Sequence, residues 1–131
     1  MATTTATLTL SSADLTGDAL SLSTTATLTK AGTVTGLDQF TGIARKTFSS
    51  TSQVTLIAKG DYTDDRAHKV YLKNTSTVAT ENLIVTIESQ LLGRLYAGDW
   101  ALLPFNGDQD IKITPSVGTA MTVEYAVIYE A

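Results

Sequence analysis

Lys69-Val70-Tyr71-Leu72-Lys73-Asn74 and Met121-Thr122-Val123-Glu124-Tyr125-Ala126-Val127-Ile128-Tyr129 bracket the half of the chain whose reading decides the fold. In the second segment Met121, Val123, Tyr125, Val127 and Tyr129 share one side, against Thr122, Glu124, Ala126, Ile128 and Glu130 on the other. Side chains alternate across a strand, so this period of two marks a strand with one face turned to a core. Between the two segments runs Leu92-Gly93-Arg94-Leu95-Tyr96-Ala97-Gly98-Asp99-Trp100-Ala101-Leu102-Leu103-Pro104-Phe105, glycine-punctuated and holding the only Trp. Strands joined by such punctuation predict one face of a β-sandwich core.

Working outward, Asn82 to Glu88 places Leu83, Val85 and Ile87 on one side after the Asn74-Thr75-Ser76-Thr77 turn. Gln90 to Tyr96 and Asp99 to Leu103 follow, broken at Gly98-Asp99. Asn106-Gly107 is the strongest hairpin signal in the chain. Asp110 to Thr114 is a strand that ends at Pro115. Upstream, Ile43 to Phe48 and Gln53 to Ala58 are short strands around the Ser49-Ser50-Thr51-Ser52 turn, and Lys59 to Ala67 is a charged loop. About nine to eleven short strands at this spacing predict an all-β, antiparallel, jelly-roll-like sandwich.

Threonine supplies 24 of the 131 residues, mostly before residue 56, and this β-branched side chain suits a half-exposed pleated surface. Thr4-Thr5-Ala6-Thr7-Leu8-Thr9 recurs verbatim as Thr24-Thr25-Ala26-Thr27-Leu28-Thr29. Two copies fall short of the three that a solenoid needs, so the echo reads as low-complexity strand chemistry. Ser11 to Asp18 reads as a turn and Ala19 to Ser23 as a short strand. With few large side chains these strands bury little apolar area. Residues 1–30 are therefore expected as Thr-rich strands or an arm of the same domain, pairing at an edge or with a neighbouring subunit, and residues 31–131 as the sandwich.

A chain of 131 residues forms one domain with a core of its own. Zero Cys removes disulfides, thiolate metal sites and Cys nucleophiles. The start has no basic patch followed by an apolar run, so no signal peptide is expected. No apolar stretch approaches the roughly 20 residues of a spanning helix, so no membrane partner is expected. A net charge of −4 with nine scattered Lys and Arg suits a nucleic-acid backbone poorly.

The candidate chemistry is thin. Asp61, Asp64 and Asp65 surround the sole histidine, His68, but lack the alternating oxygens and distal carboxylate of a calcium loop, and zinc needs more than one His. A solvated loop with an Asp–Arg66 ion pair is the simpler expectation. Asp108 and Asp110, two apart after the Asn106-Gly107 turn, could chelate a hard cation and equally describe a polar turn tip. The glycines at 32, 36 and 42 precede no helix and no Gly-Lys-Ser/Thr, which rejects a phosphate cradle. No Gly-x-Ser-x-Gly elbow occurs, and any triad would have to use His68. No cofactor and no enzymatic activity are expected. Trp100, Phe105, Tyr96 and Tyr71, among Leu95, Leu102 and Leu103, read first as core; whatever stays exposed marks a protein contact. Thr5, Thr7, Leu8, Leu10, Trp100, Leu102 and Phe105 are the candidate interface residues.

The segments Lys69 to Asn74, Ile87-Glu88 with Leu92 to Trp100, Pro104, Asp110 to Ile113 and Val123 to Glu130 resemble small virion structural proteins of tailed bacteriophages of marine cyanobacteria. The opening Ala6-Thr7-Leu8-Thr9-Leu10-Ser11-Ser12-Ala13-Asp14-Leu15 is similar to the start of the same group. The resemblance spans most of the chain and rests on strand-and-turn patterns; it brings no catalytic or metal residue with it. It implies a non-enzymatic β-sandwich, made in the host cytoplasm, that decorates or cements a capsid surface. Its partners would be the major capsid protein and its own copies, a homo-trimer first and a dimer second. A tail, neck or fibre component recognising host glycans is the alternative, and a small jelly-roll hydrolase a further one.

Overall fold

The computed structural model describes residues 3–15 and 17–131. Eleven strands are present and, among the described residues, no helix. β1 (Thr4–Ser12) and β2 (Leu20–Leu28) form a two-stranded ribbon, and all the other strands build the sandwich. These are β3 (Gln39–Phe40), β4 (Ala44–Phe48), β5 (Val54–Ile57), β6 (His68–Asn74), β7 (Asn82–Ile87) and β8 (Gln90–Tyr96). They continue with β9 (Trp100–Phe105), β10 (Ile111–Pro115) and β11 (Met121–Tyr129).

One sheet runs β5-β10-β7-β8; the other runs β11-β6-β9, with β3 and β4 both pairing along the remaining edge of β11. β4 lies beside Met121 to Tyr125 and β3 beside Ile128 and Tyr129, so the two are one edge strand with a break. Gly42 takes a φ of +80° in the break, a conformation that costs glycine little. Thr41 holds the broken edge in place, since its amide donates to the Val127 carbonyl at 3.1 Å and its hydroxyl accepts the Val127 amide at 3.0 Å. With β3 and β4 taken as one, every sandwich pairing is antiparallel and each link from β4 through β9 either turns within a sheet or crosses to the other. This is the strand order of a jelly roll.

The core follows from alternation. In β6, Val70 and Leu72 point between the sheets, and in β10 Ile111 and Ile113 do so. Met121, Val123 and Val127 meet them from β11. The sheets are joined at corners by backbone contacts. At Gly98-Asp99 the Asn74 backbone donates to Asp99 O and accepts from Gly98 N, both at 3.0 Å, while Asn74 Nδ2 donates to Leu95 O at 2.9 Å.

The Asn106-Gly107 turn departs from the hairpin expectation. β9 and β10 on either side of it belong to opposite sheets, so the turn is an inter-sheet corner. Gly107 has a φ of +101°, and a Cβ there would lie 2.5 Å from the Thr63 carbonyl oxygen. The glycine that a hairpin uses for its backbone conformation serves here for close approach to the Lys59–Ala67 loop as well.

Leu28, Leu37 and Ala126 are buried although they lie outside the inter-sheet cluster. Alternation puts Ala126 on the outer face of its sheet, and Leu28 and Leu37 come from the base of the ribbon. The ribbon base therefore forms a partial third layer, lying over the β11 side of that sheet. Thr4 Oγ1 reaches Leu37 O at 3.5 Å, and Leu37 N donates to Leu28 O at 2.9 Å.

Candidate functional site

The ribbon and the sheet face beneath it hold most of the candidate interface residues. Nine consecutive pairs run from Thr4↔Leu28 to Ser12↔Leu20 without a bulge. Directly opposed residues share a face, so Thr5/Thr27, Thr7/Thr25, Thr9/Ser23 and Ser11/Ser21 make one face wholly of hydroxyls. The Thr7 and Thr25 hydroxyls lie 3.0 Å apart in a cross-strand hydrogen bond. The other face carries Ala6/Ala26, Leu8/Thr24 and Leu10/Leu22, then Leu20 opposite Ser12. The verbatim echo thus has a structural expression. Residues 4–8 pair antiparallel with residues 24–28 about a local two-fold axis at the Ala6/Ala26 pair, and TTATL lies against TTATL.

Below the apolar face, β9 alternates Trp100, Leu102 and Pro104 outward with Ala101, Leu103 and Phe105 inward. Trp100 is 54 % exposed and Leu102 38 %, and both line a shallow open cavity of about 380 Å³ with Ala6, Leu8 and Ala26 of the ribbon. The expectation that Trp100 belongs to the core is corrected by this register. Phe105 has the opposite parity and is 5 % exposed in the core, which takes it out of the exposed set. Thr5, Thr7 and Leu10 are exposed and Leu8 is half-buried. Toward the ribbon tip Leu10 and Leu22 remain 40 % and 43 % exposed. The sequence reading did not single out Leu20 and Leu22, although their alternation with Ser21 and Ser23 keeps the parity of Thr24, Ala26 and Leu28.

Next to Trp100 the outer face turns polar. The cross-strand row Trp100–Lys73–Glu124–Arg45 crosses β9, β6, β11 and β4. Glu124 Oε2 accepts from Arg45 Nη2 at 3.0 Å and Nε at 3.2 Å, and Oε1 accepts from the Tyr71 hydroxyl at 3.2 Å. The guanidinium holds the Glu124 carboxyl below the usual carboxylate range. Burial, and then the bond to Glu124, pushes the Tyr71 phenol up.

His68 is fully buried at one end of the sandwich, with Tyr62 and Phe105 rings at 5.6 and 6.1 Å between centroids. Its Nδ1 accepts the Glu130 amide at 3.3 Å, which leaves Nε2 as the donor to Thr63 O at 2.9 Å. Both ring nitrogens are engaged in holding the framework. Arg66 pairs with Glu130 at 3.5 Å, correcting the expected partner among the loop aspartates. Glu130 Oε2 also accepts the Ala31 amide at 2.8 Å and the Ala67 amide at 3.4 Å. This buried carboxylate ties the chain leaving the ribbon to the sandwich, a role the sequence reading missed because its partners lie far away along the chain.

The candidate cation positions come apart. Asp110 Oδ1 accepts the Lys59 amide at 2.8 Å and Oδ2 lies 3.8 Å from Lys112 Nζ, while Asp108, Asp61 and Asp64 face solvent. Among the described residues no three His, Asp or Glu side chains gather as a metal cluster would require. The chain matches no family model, no curated protein and no solved structure.

Proposed function

We propose that this chain is a non-enzymatic structural protein that attaches to the capsid surface of a tailed phage, touching the major capsid protein and copies of itself. The observation that carries the reading is the half-covered apolar ribbon beside exposed Trp100 and Leu102 on the jelly roll. Large apolar side chains gathered at one surface mark a protein contact. A lattice of identical sites then converts many modest contacts into firm attachment. The resemblance of Lys69 to Asn74 and Leu92 to Trp100 to virion proteins supports the same conclusion.

The test is co-sedimentation of the purified protein with capsids that lack it, followed by imaging. Stoichiometric binding in a lattice pattern is expected. Binding at a single vertex moves the chain to the tail or neck, and absence of binding overturns the capsid reading. A glycan-recognising fibre component is the second reading, favoured by the half-exposed Trp100 near exposed Tyr96. Saturable quenching of Trp100 fluorescence by host glycans is what that reading requires.

A further inference from the structure

We propose that the free edge of β1 pairs antiparallel, about a two-fold axis, with β1 of a second copy of this chain. Two ribbons would then form one continuous four-stranded sheet.

The strand edges of the sandwich and of the ribbon differ. Open strand edges recruit partners, and proteins blunt them with charge, proline, bulges or short length. The sandwich edges carry such devices. β4 has Arg45 and Lys46, β8 has Arg94 and a register shift against β7, β9 has Pro104, and β5 is four residues long with a register shift against β10. β1 has none of them. Its nine residues hold no charge, proline or glycine, and its ladder is regular throughout.

The sequence of β1 points to its own occupant. The ribbon already shows what TTATL pairs with in antiparallel register, namely TTATL. A second copy offers that sequence on its own β1 edge and sets hydroxyls beside hydroxyls and apolar side chains beside apolar ones. Such self-complementarity is what an isologous two-fold contact requires. Strand addition of this kind gains backbone hydrogen bonds along the edge, with side-chain pairs supplying the register.

The two ribbon edges are not equivalent. The β2 edge is occupied only at its base, by the Thr29–Gly36 bridge and the bond from Leu37 N to Leu28 O, whereas among the described residues β1 pairs with β2 alone. A two-fold contact through β1 closes on itself as a pair, and the β2 edge, open from Leu20 to Thr27, is probed by its own cysteines below. An isolated two-stranded ribbon is marginally stable in water, and widening it to four strands adds support. In that register Ala6 meets its own copy on the axis, and Leu8 lies opposite Thr4 of the second copy on the apolar face.

The chain contains no cysteine, so single substitutions report directly. Solution mass is expected at twice 13.9 kDa. Thr5→Cys, Thr7→Cys, Thr9→Cys and Ser11→Cys lie on one face of β1. Under mild oxidation the disulfide-linked dimer should be strongest for Ala6→Cys, which lies on the axis of the TTATL-on-TTATL register, and fall away through Thr5→Cys and Thr7→Cys to Thr9→Cys and Ser11→Cys, because only a residue near the axis meets its own copy within bonding distance. Ser21→Cys, Ser23→Cys and Thr25→Cys on β2 should not link. Thr7→Lys places an edge-blocking charge on the exposed face; it should halve the mass while the near-UV signal of the Tyr62–His68–Phe105 cluster persists. A single-chain mass for the unsubstituted protein, linkage through β2 alone, linkage without positional preference, or an unchanged dimer in Thr7→Lys would each overturn the proposal. The inference uses the ribbon assigned above to capsid contact but needs no capsid. Because pairing is scored on purified protein and attachment on capsids, either can fail alone.

Discussion

Replacing Glu130 by Gln tests how the ribbon is held to the sandwich. The Glu130 carboxylate accepts the Ala31 amide at 2.8 Å and the Ala67 amide at 3.4 Å, and faces Arg66 Nε at 3.5 Å. Gln keeps one acceptor oxygen, removes the charge, and turns an NH2 group toward donors that need an acceptor. Hydrogen bonds to charged groups contribute about 1.5–3 kcal/mol, and the longer Ala67 contact sits at the weak end. The Arg66 side chain is substantially exposed, so its pairing adds no more than about 1 kcal/mol. The expected loss is about 1–3 kcal/mol, concentrated where Ala31 leaves the ribbon. Every 1.4 kcal/mol is tenfold in an equilibrium, so local opening should rise about five- to a hundred-fold. Trypsin reads this out, since the Lys30–Ala31 bond adjoins the clamp. Cleavage of a native protein by local opening tracks the open population when reclosing is fast. Glu130→Gln should accelerate cleavage after Lys30 well beyond cleavage after Arg45 or Lys46 in β4, where opening requires the sandwich itself to yield. Equal acceleration at all three sites, or none at Lys30, would refute the clamp.

Gly107→Ala should destabilise the sandwich by about 1–3 kcal/mol, because φ is positive and the new Cβ would strike the Thr63 carbonyl; a lowered urea midpoint at unchanged slope checks it. Acid should weaken the seam between β4 and β11. The folded-state pKa of Glu124 is depressed by Arg45, so the stability it contributes is complete above the ordinary carboxylate range and is lost as pH falls through the folded value. Arg45→Ala should flatten that part of the stability-against-pH curve, measured by thermal unfolding at a series of pH values. Deleting residues 1–12 removes β1 and leaves β2 unpaired, while no residue of the inter-sheet core is lost. The truncated chain should keep its near-UV spectrum and lose self-association in a sedimentation measurement; failure to fold would make the ribbon an obligatory part of the core.

How far the structure was legible depends on whether a pattern is local. The alternation of Val70 and Leu72 in β6, of Ile111 and Ile113 in β10, and of Met121, Val123 and Val127 in β11 announces strands buried on one face, and the core is built on those residues. Alternation does not say which sheet a strand joins. Asn106-Gly107 has the chemistry of a two-residue hairpin, yet a corner between sheets also calls for a positive φ and a missing Cβ, and only the Thr63 carbonyl distinguishes the two. Trp100 fails for a related reason. Apolar neighbours on both sides in sequence leave the parity of β9 open, and the parity that buries Phe105 necessarily turns Trp100 and Leu102 outward.

The ribbon shows the opposite case, a local signal whose meaning is not local. A verbatim repeat of small and hydroxylated residues looks like low complexity until the two copies are placed face to face. Hydroxyl-to-hydroxyl and alanine-to-alanine pairing then fixes a register that weakly apolar strands otherwise hold poorly, since a slip of one residue would turn Leu8, Leu10 and Leu22 to the hydroxyl face. The same repetition that secures the internal register makes the outer edge of β1 complementary to itself. A chain selected only for a quiet solvent-facing ribbon would be expected to carry a lysine or proline somewhere in Thr4 to Ser12, as β4 and β9 do at their own edges. Neither Thr4 to Ser12 nor Leu20 to Leu28 carries one, and the two-fold pairing proposed above would cover the β1 edge.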